Sequence, residues 1–288
     1  MKLFTLISFN LIQMTLARAP EHPNPYQYLN TTKTILTLST KTDITSKYTT
    51  SLKIVQYLTH YWPISYSTIE DIVGNADMQQ GMNTIFTSDR FGCPNSALNL
   101  NGGYTYVQAG IYFDAPEFTI SVWIYPRSVG SGSRVIDFGN TPAPLDNIVL
   151  SLNSNSNDFP SIYIRNGTEK LNIATSSSSL ANRWQFLAAT FDGNIMRIYI
   201  DGLLKGNASV TYSLPTLIRT NNYIGKNGNS NSFSSSYLDD LRFYNKSLTQ
   251  SEIYQLLNLN SKHLFHFIFD FIVCNNRKYY YLKFKLLC

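Results

Sequence analysis

Glutamate is scarce in this 288-residue chain: Glu21, Glu70, Glu117, Glu169 and Glu252, no two of them close in sequence. Hydrolysis of a glycosidic bond by paired carboxylates needs two acids about 5 to 9.5 Å apart, and no short stretch offers two glutamates. Histidine is nearly as rare, with His22 near one end, His263 and His266 near the other, and only His60 in the patterned middle, just before Trp62-Pro63. A lone histidine there reads as structural, and neither a hydrolytic triad nor a zinc ligand set emerges. Three cysteines, Cys93, Cys274 and Cys288, fit no metal spacing and leave one over in an oxidising compartment. Cys93 reads either as a buried thiol or as the partner of a tail cysteine. The formal charge of +5 is modest and falls partly on Arg277, Lys278, Lys283 and Lys285, so no basic face for nucleic acid is implied. No apolar run is long enough for a membrane span, since Leu264 to Cys274 is short and split by Asp270.

What is present begins with MKLFTLISFNLIQMTLARAP, in which Lys2 precedes an apolar run from Leu3 to Leu16 and an Ala17-Arg18-Ala19 pattern follows. That reads as a secretory signal peptide over 1–19. Pro20 is a poor residue after a cleavage point, which leaves an uncleaved anchor as the alternative. Residues 20–56 include TTKTILTLSTKTDITSKYTT, too rich in hydroxyls to build a core, and read as a Thr/Ser-rich linker or one edge strand.

From Tyr57 to Asn258 the pattern becomes short apolar or alternating runs separated by Gly, Asn, Ser and Pro: SALNLNG, YTYVQAG, FTISVWIYP, SRVIDFG, NIVLSLN, SIYIRNG, NNYIGKNG, YLDDLRFYN. The clearest is WQFLAATFDGNIMRIYIDG, where Asp192-Gly193 joins two strands and Asp201-Gly202 turns the chain again. Met196, Ile198 and Ile200 mark one buried face, and both aspartates read as turn residues. Such a series predicts an all-β sandwich or barrel. One helix is expected, opened by the capping box Thr249-Gln250-Ser251-Glu252 ahead of IYQLLN. Residues 259–288 abandon this grammar and read as an atypical extension.

In order, the motifs DRFGCPNSALNLNGG, PEFTISVWIYP, NRWQFLAATFDGNIMRIYIDG, NNYIGKNG and LDDLRFYNKSLTQSEIYQLLN resemble those of a laminin G-like jelly-roll domain of the concanavalin A-like lectin and glucanase superfamily. The resemblance covers 57–258 and implies a two-sheet antiparallel jelly roll. It further implies an extracellular module that binds glycans or proteins without catalysis, with a spacer domain lacking a specific ligand as the alternative. Glucanases of this superfamily carry a Glu-x-Asp-x-x-Glu pattern on one strand, which is missing here.

Calcium is the cofactor to weigh, because extracellular modules hold it weakly through carboxylates and loop carbonyls. Asp137 in RVIDFG and Asp239 of the Asp239-Asp240 pair are the candidate ligands. Alternation places Asp239 with Leu241 and Phe243 on the core side, where an acid needs a partner; a backbone acceptor role competes with the metal role. For a glycan platform, Tyr104, Tyr106 and Tyr112 near Gln108, or Tyr237, supply aromatic rings, and the loops SVGSGSR and NSNSNDFP supply polar rims. Sequons stand at Asn30, Asn166, Asn207 and Asn245, of which Asn166 and Asn207 read as turn residues.

Overall fold

Trp184 to Gly202 folds largely as its pattern dictates. Two strands pair antiparallel from Leu187↔Ile200 to Phe191↔Met196, and Gly193 takes a φ of 89° between them. The Asp192 carboxylate accepts hydrogen bonds from the backbone N–H groups of Asn194 and Ile195 at 3.0 and 2.7 Å, the local bonding that suits aspartate to turns. Asp201 and Gly202 then both adopt positive φ, 50° and 77°, as a tight two-residue hairpin requires. The hairpin buries both faces rather than the single face expected. Met196, Ile198 and Ile200 face the main core, while Phe186, Ala188 and Tyr199 are buried in a second cluster.

The computed structural model describes residues 54–258 apart from 115, 129–132, 141–145, 154–158, 177–180 and 229–231. The expected signal peptide, most of the linker, Asn30, Cys274, Cys288, the C-terminal extension and much of both polar rim loops lie outside the described residues. The strands are β1 (Leu58–Trp62), β2 (Gln79–Met82), β3 (Ile85–Thr87), β4 (Ala97–Asn99), β5 (Tyr104–Val107), β6 (Phe118–Ser128), β7 (Arg134–Gly139) and β8 (Ile148–Ser151). They continue as β9 (Ser161–Asn166), β10 (Glu169–Ala174), β11 (Gln185–Phe191), β12 (Ile195–Ile200), β13 (Leu203–Ser209), β14 (Asn221–Ile224) and β15 (Ser235–Tyr244), followed by helix α1 (Gln250–Asn258).

Two antiparallel sheets result. Sheet I has the order β13-β12-β11-β6-β15-β4-β3, with β1 also on β15, and sheet II the order β10-β9-β8-β7-β14-β5-β2. Between them lies one core, to which sheet I contributes Ile120, Val122, Ile198 and Phe243, and sheet II contributes Phe138, Leu150, Ile164 and Ile224. The expected all-β jelly-roll sandwich with one helix after the last strand is the architecture observed. Helix α1 opens as its capping box predicts: the Thr249 N–H donates to Glu252 Oε2 at 2.8 Å and the Glu252 N–H to Thr249 Oγ1 at 3.3 Å. Its Ile253 and Leu256, with Ile54, Leu58, Tyr61 and Leu248, close the outer face of sheet I over Phe186, Ala188, Tyr199 and Tyr244. Among the described residues, no helix is long and apolar enough to cross a membrane.

Candidate functional site

Asp239 does not face the core. On one edge β15 pairs with β6 throughout; on the other it pairs with β4 at Tyr237 and Leu238, then with β1 from Leu241 to Tyr244. At the fork between β4 and β1 the register slips between Asp239 and Arg242, and Asp240 takes a φ of 52°. This bulge inserts a residue and resets the alternation. Leu238, Leu241 and Phe243 therefore point inward, while Asp239, opposite Trp123, lies on the outer side.

Arg90, arriving from the turn before β4, fills the fork. Its Nη1 donates to Asp239 Oδ2 at 2.7 Å and its Nη2 to Asp240 Oδ2 at 2.8 Å, with the guanidinium 4.6 Å over the Trp123 ring. Asp240 Oδ1 accepts from Tyr61 Oη at 2.6 Å and from Arg242 Nη2 at 3.1 Å. Burial pushes the Tyr61 hydroxyl far above its ordinary pKa and the Asp240 charge pushes it further, so it stays a donor. Charges are thus fully matched inside a closed face, which is how buried ions are tolerated.

A second anchor holds the chain after β1. His60 Nδ1 lies 2.6 Å from Asp71 Oδ2, and the carboxylate also accepts the backbone N–H groups of Tyr61, Gly74 and Ala76 at 2.9, 2.9 and 3.1 Å. Burial works against the Asp71 charge, but His60 and these amides outweigh it and hold the pKa below the usual carboxylate value. Gly74 packs so closely beneath the imidazole that a Cβ has no room.

Sheet II differs, because its outer face carries no helix among the described residues. One row of cross-strand neighbours runs over the whole face: Gln79↔Tyr106, Tyr106↔Tyr223, Tyr223↔Asp137, Asp137↔Val149, Val149↔Tyr163 and Tyr163↔Asn172. Alternation drives this, since Ile136, Phe138, Ile162, Ile164 and Ile224 occupy the inward positions. The tyrosines are half-buried, neither core nor fully exposed. Asp137 sits mid-row, only 1% exposed, its oxygens accepting from Asn147 Nδ2 at 2.7 Å and from the Gly228 N–H at 2.8 Å. Burial raises its pKa, opposed by Gly228, Asn147 and the charge of Arg134.

Cations decorate the rings. Lys226 Nζ stands 4.9 Å from the Tyr104 ring and 4.4 Å from the Tyr223 ring, and Phe233 stacks on Tyr104 at 6.1 Å. At the other end of the row, Lys170 Nζ lies 4.9 Å and Arg134 Cζ 5.8 Å from the Tyr163 ring. Burial, then the nearby Asp137, push the Tyr163 hydroxyl up to about 12 against the pull of Arg134 and Arg165. Rings flanked by hydrogen-bonding and charged groups can stack a planar or pyranose ligand and bond its polar edge.

Of the expected platform, Tyr104 and Tyr106 belong to this face. Tyr112 does not: it is 5% exposed, packs against Phe138 at 5.0 Å, and donates to the Gln108 carbonyl at 2.8 Å. Tyr237 lies on the other sheet, stacked on Tyr125 at 5.1 Å and beside Trp184. Neither Asp137 nor Asp239 stands in a group of three or more potential metal ligands among the described residues. Asn207 is exposed on the edge strand β13 rather than in a turn, Asn245 is exposed just past β15, and Asn166 at the end of β9 donates Nδ2 to the Ser213 carbonyl at 3.0 Å. Tyr163, Tyr223, Arg134, Arg165, Lys170 and Lys226 escaped the sequence reading. Their signal was the polar phase of SIYIRNG and NNYIGKNG, but only register shows that these phases meet.

A family model for the concanavalin A-like lectin/glucanases superfamily matches residues 101–254. Among solved structures, domain 4 of AbnA, a GH43 extracellular arabinanase from Geobacillus stearothermophilus in complex with arabinotriose, is similar with a TM-score of 0.61. The identity is 18%, over 70% of this chain and 98% of that one. The binding domain of Paraclostridial Mosquitocidal Protein 1 matches with a TM-score of 0.56 at 19% identity, over 71% of this chain and 52% of that one. The botulinum neurotoxin serotype D ligand binding domain in complex with N-acetylneuraminic acid matches with a TM-score of 0.54 at 15% identity, over 73% and 53%. The chain thus spans about half the length of the two toxin domains. At these identities the likeness is one of fold. No curated protein matches the chain.

Proposed function

The chain belongs to the concanavalin A-like lectin/glucanase superfamily, and from that membership we propose that it is a secreted, non-catalytic recognition module that binds carbohydrate on the outer face of sheet II. The observation that carries this reading is the row Gln79–Tyr106–Tyr223–Asp137–Val149–Tyr163–Asn172, in which three half-buried tyrosines and two exposed amides stand on either side of the buried Asp137 and Val149, on a face that carries no helix among the described residues. The similar arabinanase domain and neurotoxin domain were solved in complex with arabinotriose and N-acetylneuraminic acid, both sugars, which agrees with it.

The placement of three of the acids supports a non-catalytic role. Asp239 and Asp240 are neighbours, yet Arg90 engages both inside a closed face, and Asp137 is buried with its oxygens on amide donors. We also propose that binding is calcium-independent, because Asp239 Oδ2 already meets a cation, Arg90, where a metal would compete for it. Secretion would expose Asn207 and Asn245 to glycosylation, with Asn166 disfavoured by its bond to Ser213; mass spectrometry of the secreted protein reads this directly.

The test is a glycan array probed with the full chain, with and without EDTA. Retention of a defined glycan class that is unchanged by EDTA and lost in Tyr223→Ala supports the reading. Failure to retain any glycan leaves a spacer domain, and a loss with EDTA restores calcium.

A further inference from the structure

Resting on the glycan reading, we infer that the ligand is a glycan whose sugars carry carboxylates, seated on Tyr163 and gripped by Arg134, Arg165 and Lys170. Arg165 and Lys170 are direct cross-strand partners on the outer face. Like charges placed opposite one another destabilise a sheet, and a carboxylate between them removes that repulsion. None of Arg134, Arg165, Lys170 and Lys226 is within ion-pair distance of an acid among the described residues. Elsewhere in the fold four arginines are neutralised, Arg90 by two aspartates, Arg183 by Asp201, Arg197 by Asp192 and Arg242 by Asp240, whereas Arg127, over the Tyr237 ring, and the buried Arg219 have no ion pair among the described residues. Arg134, Arg165 and Lys170 thus stand together on one face without an acid partner among the described residues.

Geometry makes this a site rather than a diffuse basic patch. Lys170 Nζ and Arg134 Cζ lie over the Tyr163 ring at 4.9 and 5.8 Å from its centroid, and Arg134 is steadied by donating Nη1 to Ser151 Oγ at 2.8 Å. Arg165 lies two residues along β9 from Tyr163, on the same face. A pyranose resting against this ring-and-cation cluster puts a ring carboxylate within reach of the guanidinium forks, which match a carboxylate with two parallel hydrogen bonds. Beyond Val149 and Asp137, about 14 Å away at the usual strand spacing, Lys226 between Tyr104 and Tyr223 repeats the ring-and-cation arrangement. A chain of acidic sugars spans both, with Asp137 sealed beneath Gly228 between them.

An array of matched pairs decides, each carboxylated glycan printed beside its carboxyl-reduced counterpart and probed with the full chain at low and high salt. The inference predicts that the carboxylated members are preferred by tenfold or more, and that salt erodes the preference. Arg165→Gln and Lys170→Gln should each weaken binding to carboxylated members about tenfold, the scale of one lost charge-assisted contact, and so narrow the preference over the neutral members; an undiminished preference in both variants overturns the inference. Melting temperatures equal to or above wild type confirm that both variants fold, since each removes a like-charge neighbour. Equal binding within pairs overturns the inference but keeps the glycan reading; binding to no member of any pair overturns both.

Discussion

Phe186, Tyr199 and Tyr244 on the outer face of sheet I are at most 3% exposed, whereas Tyr106, Tyr163 and Tyr223 on the outer face of sheet II are all half-buried. The strands beneath are alike: alternating, antiparallel, with the same shared core. What differs is the cover. Helix α1 and the turn before β1 lie over sheet I, so its outer residues become a second core and its charges are matched pair by pair. Sheet II carries no helix over it among the described residues, and although Asp137 and Val149 are buried there, Tyr106, Tyr163 and Tyr223 keep part of their rings in contact with solvent. Stability is therefore concentrated on the outer face of sheet I, and recognition is proposed for that of sheet II.

The comparison breaks most severely if Arg90 is removed. Arg90→Ala strands the buried carboxylates of Asp239 and Asp240, and breaking a buried pair of this kind costs about 3 to 5 kcal/mol. In a domain of this size that lowers the melting temperature by roughly 10 °C, and a thermal melt within a degree or two of wild type would show the fork cluster to be dispensable. Next comes the lid itself. Leu256 is fully buried, and Leu256→Ala should cost about 2 to 4 kcal/mol by chemical denaturation, with sugar binding intact once the protein is folded.

Asp71 sharpens the comparison through pH. Its folded-state pKa is lowered from the ordinary 3.8, so its contribution is present above that value and is lost as pH falls through the lowered one. Wild type should lose stability on acidification below about pH 4. Asp71→Ala, less stable at neutral pH by about 1 to 3 kcal/mol because the backbone donors of Tyr61, Gly74 and Ala76 are orphaned, should lose less over the same range. Identical acid profiles would remove the carboxylate from the account. Smallest in stability is Tyr223→Ala, expected to cost about 1 kcal/mol, the scale of an aromatic pair beyond its area, while binding falls by tenfold or more in a glycan titration.

The fold was legible because its signals are local. Asp192-Gly193, Asp201-Gly202 and the Thr249–Glu252 box each state a turn or a cap within four residues, and alternation states which side of each strand is buried. The site was legible only in part. Tyr104 and Tyr106 share a face by period alone, but Tyr223 joins them through the distant pairing Tyr106↔Tyr223, and Tyr163 only through Tyr223↔Asp137 and then Val149, a path that no local pattern records. Asp239 was misplaced for the opposite reason: a single bulged residue at Asp240 inverts the period, and an aspartate at positive φ carries no signature that separates it from its neighbour. The burial of both faces of β11 was likewise invisible, because the lid that covers it comes from sequence far away.

The most direct test sets the two aromatic clusters against each other on one glycan array. Tyr163→Ala/Tyr223→Ala removes the rings of sheet II, and Tyr237→Ala removes the ring stacked on Tyr125 in sheet I. The account predicts that the double variant, still folded by its thermal melt, loses array binding while Tyr237→Ala keeps it. Binding that survives in the double variant and disappears in Tyr237→Ala would place recognition on the sheet assigned here to stability, and would contradict the account.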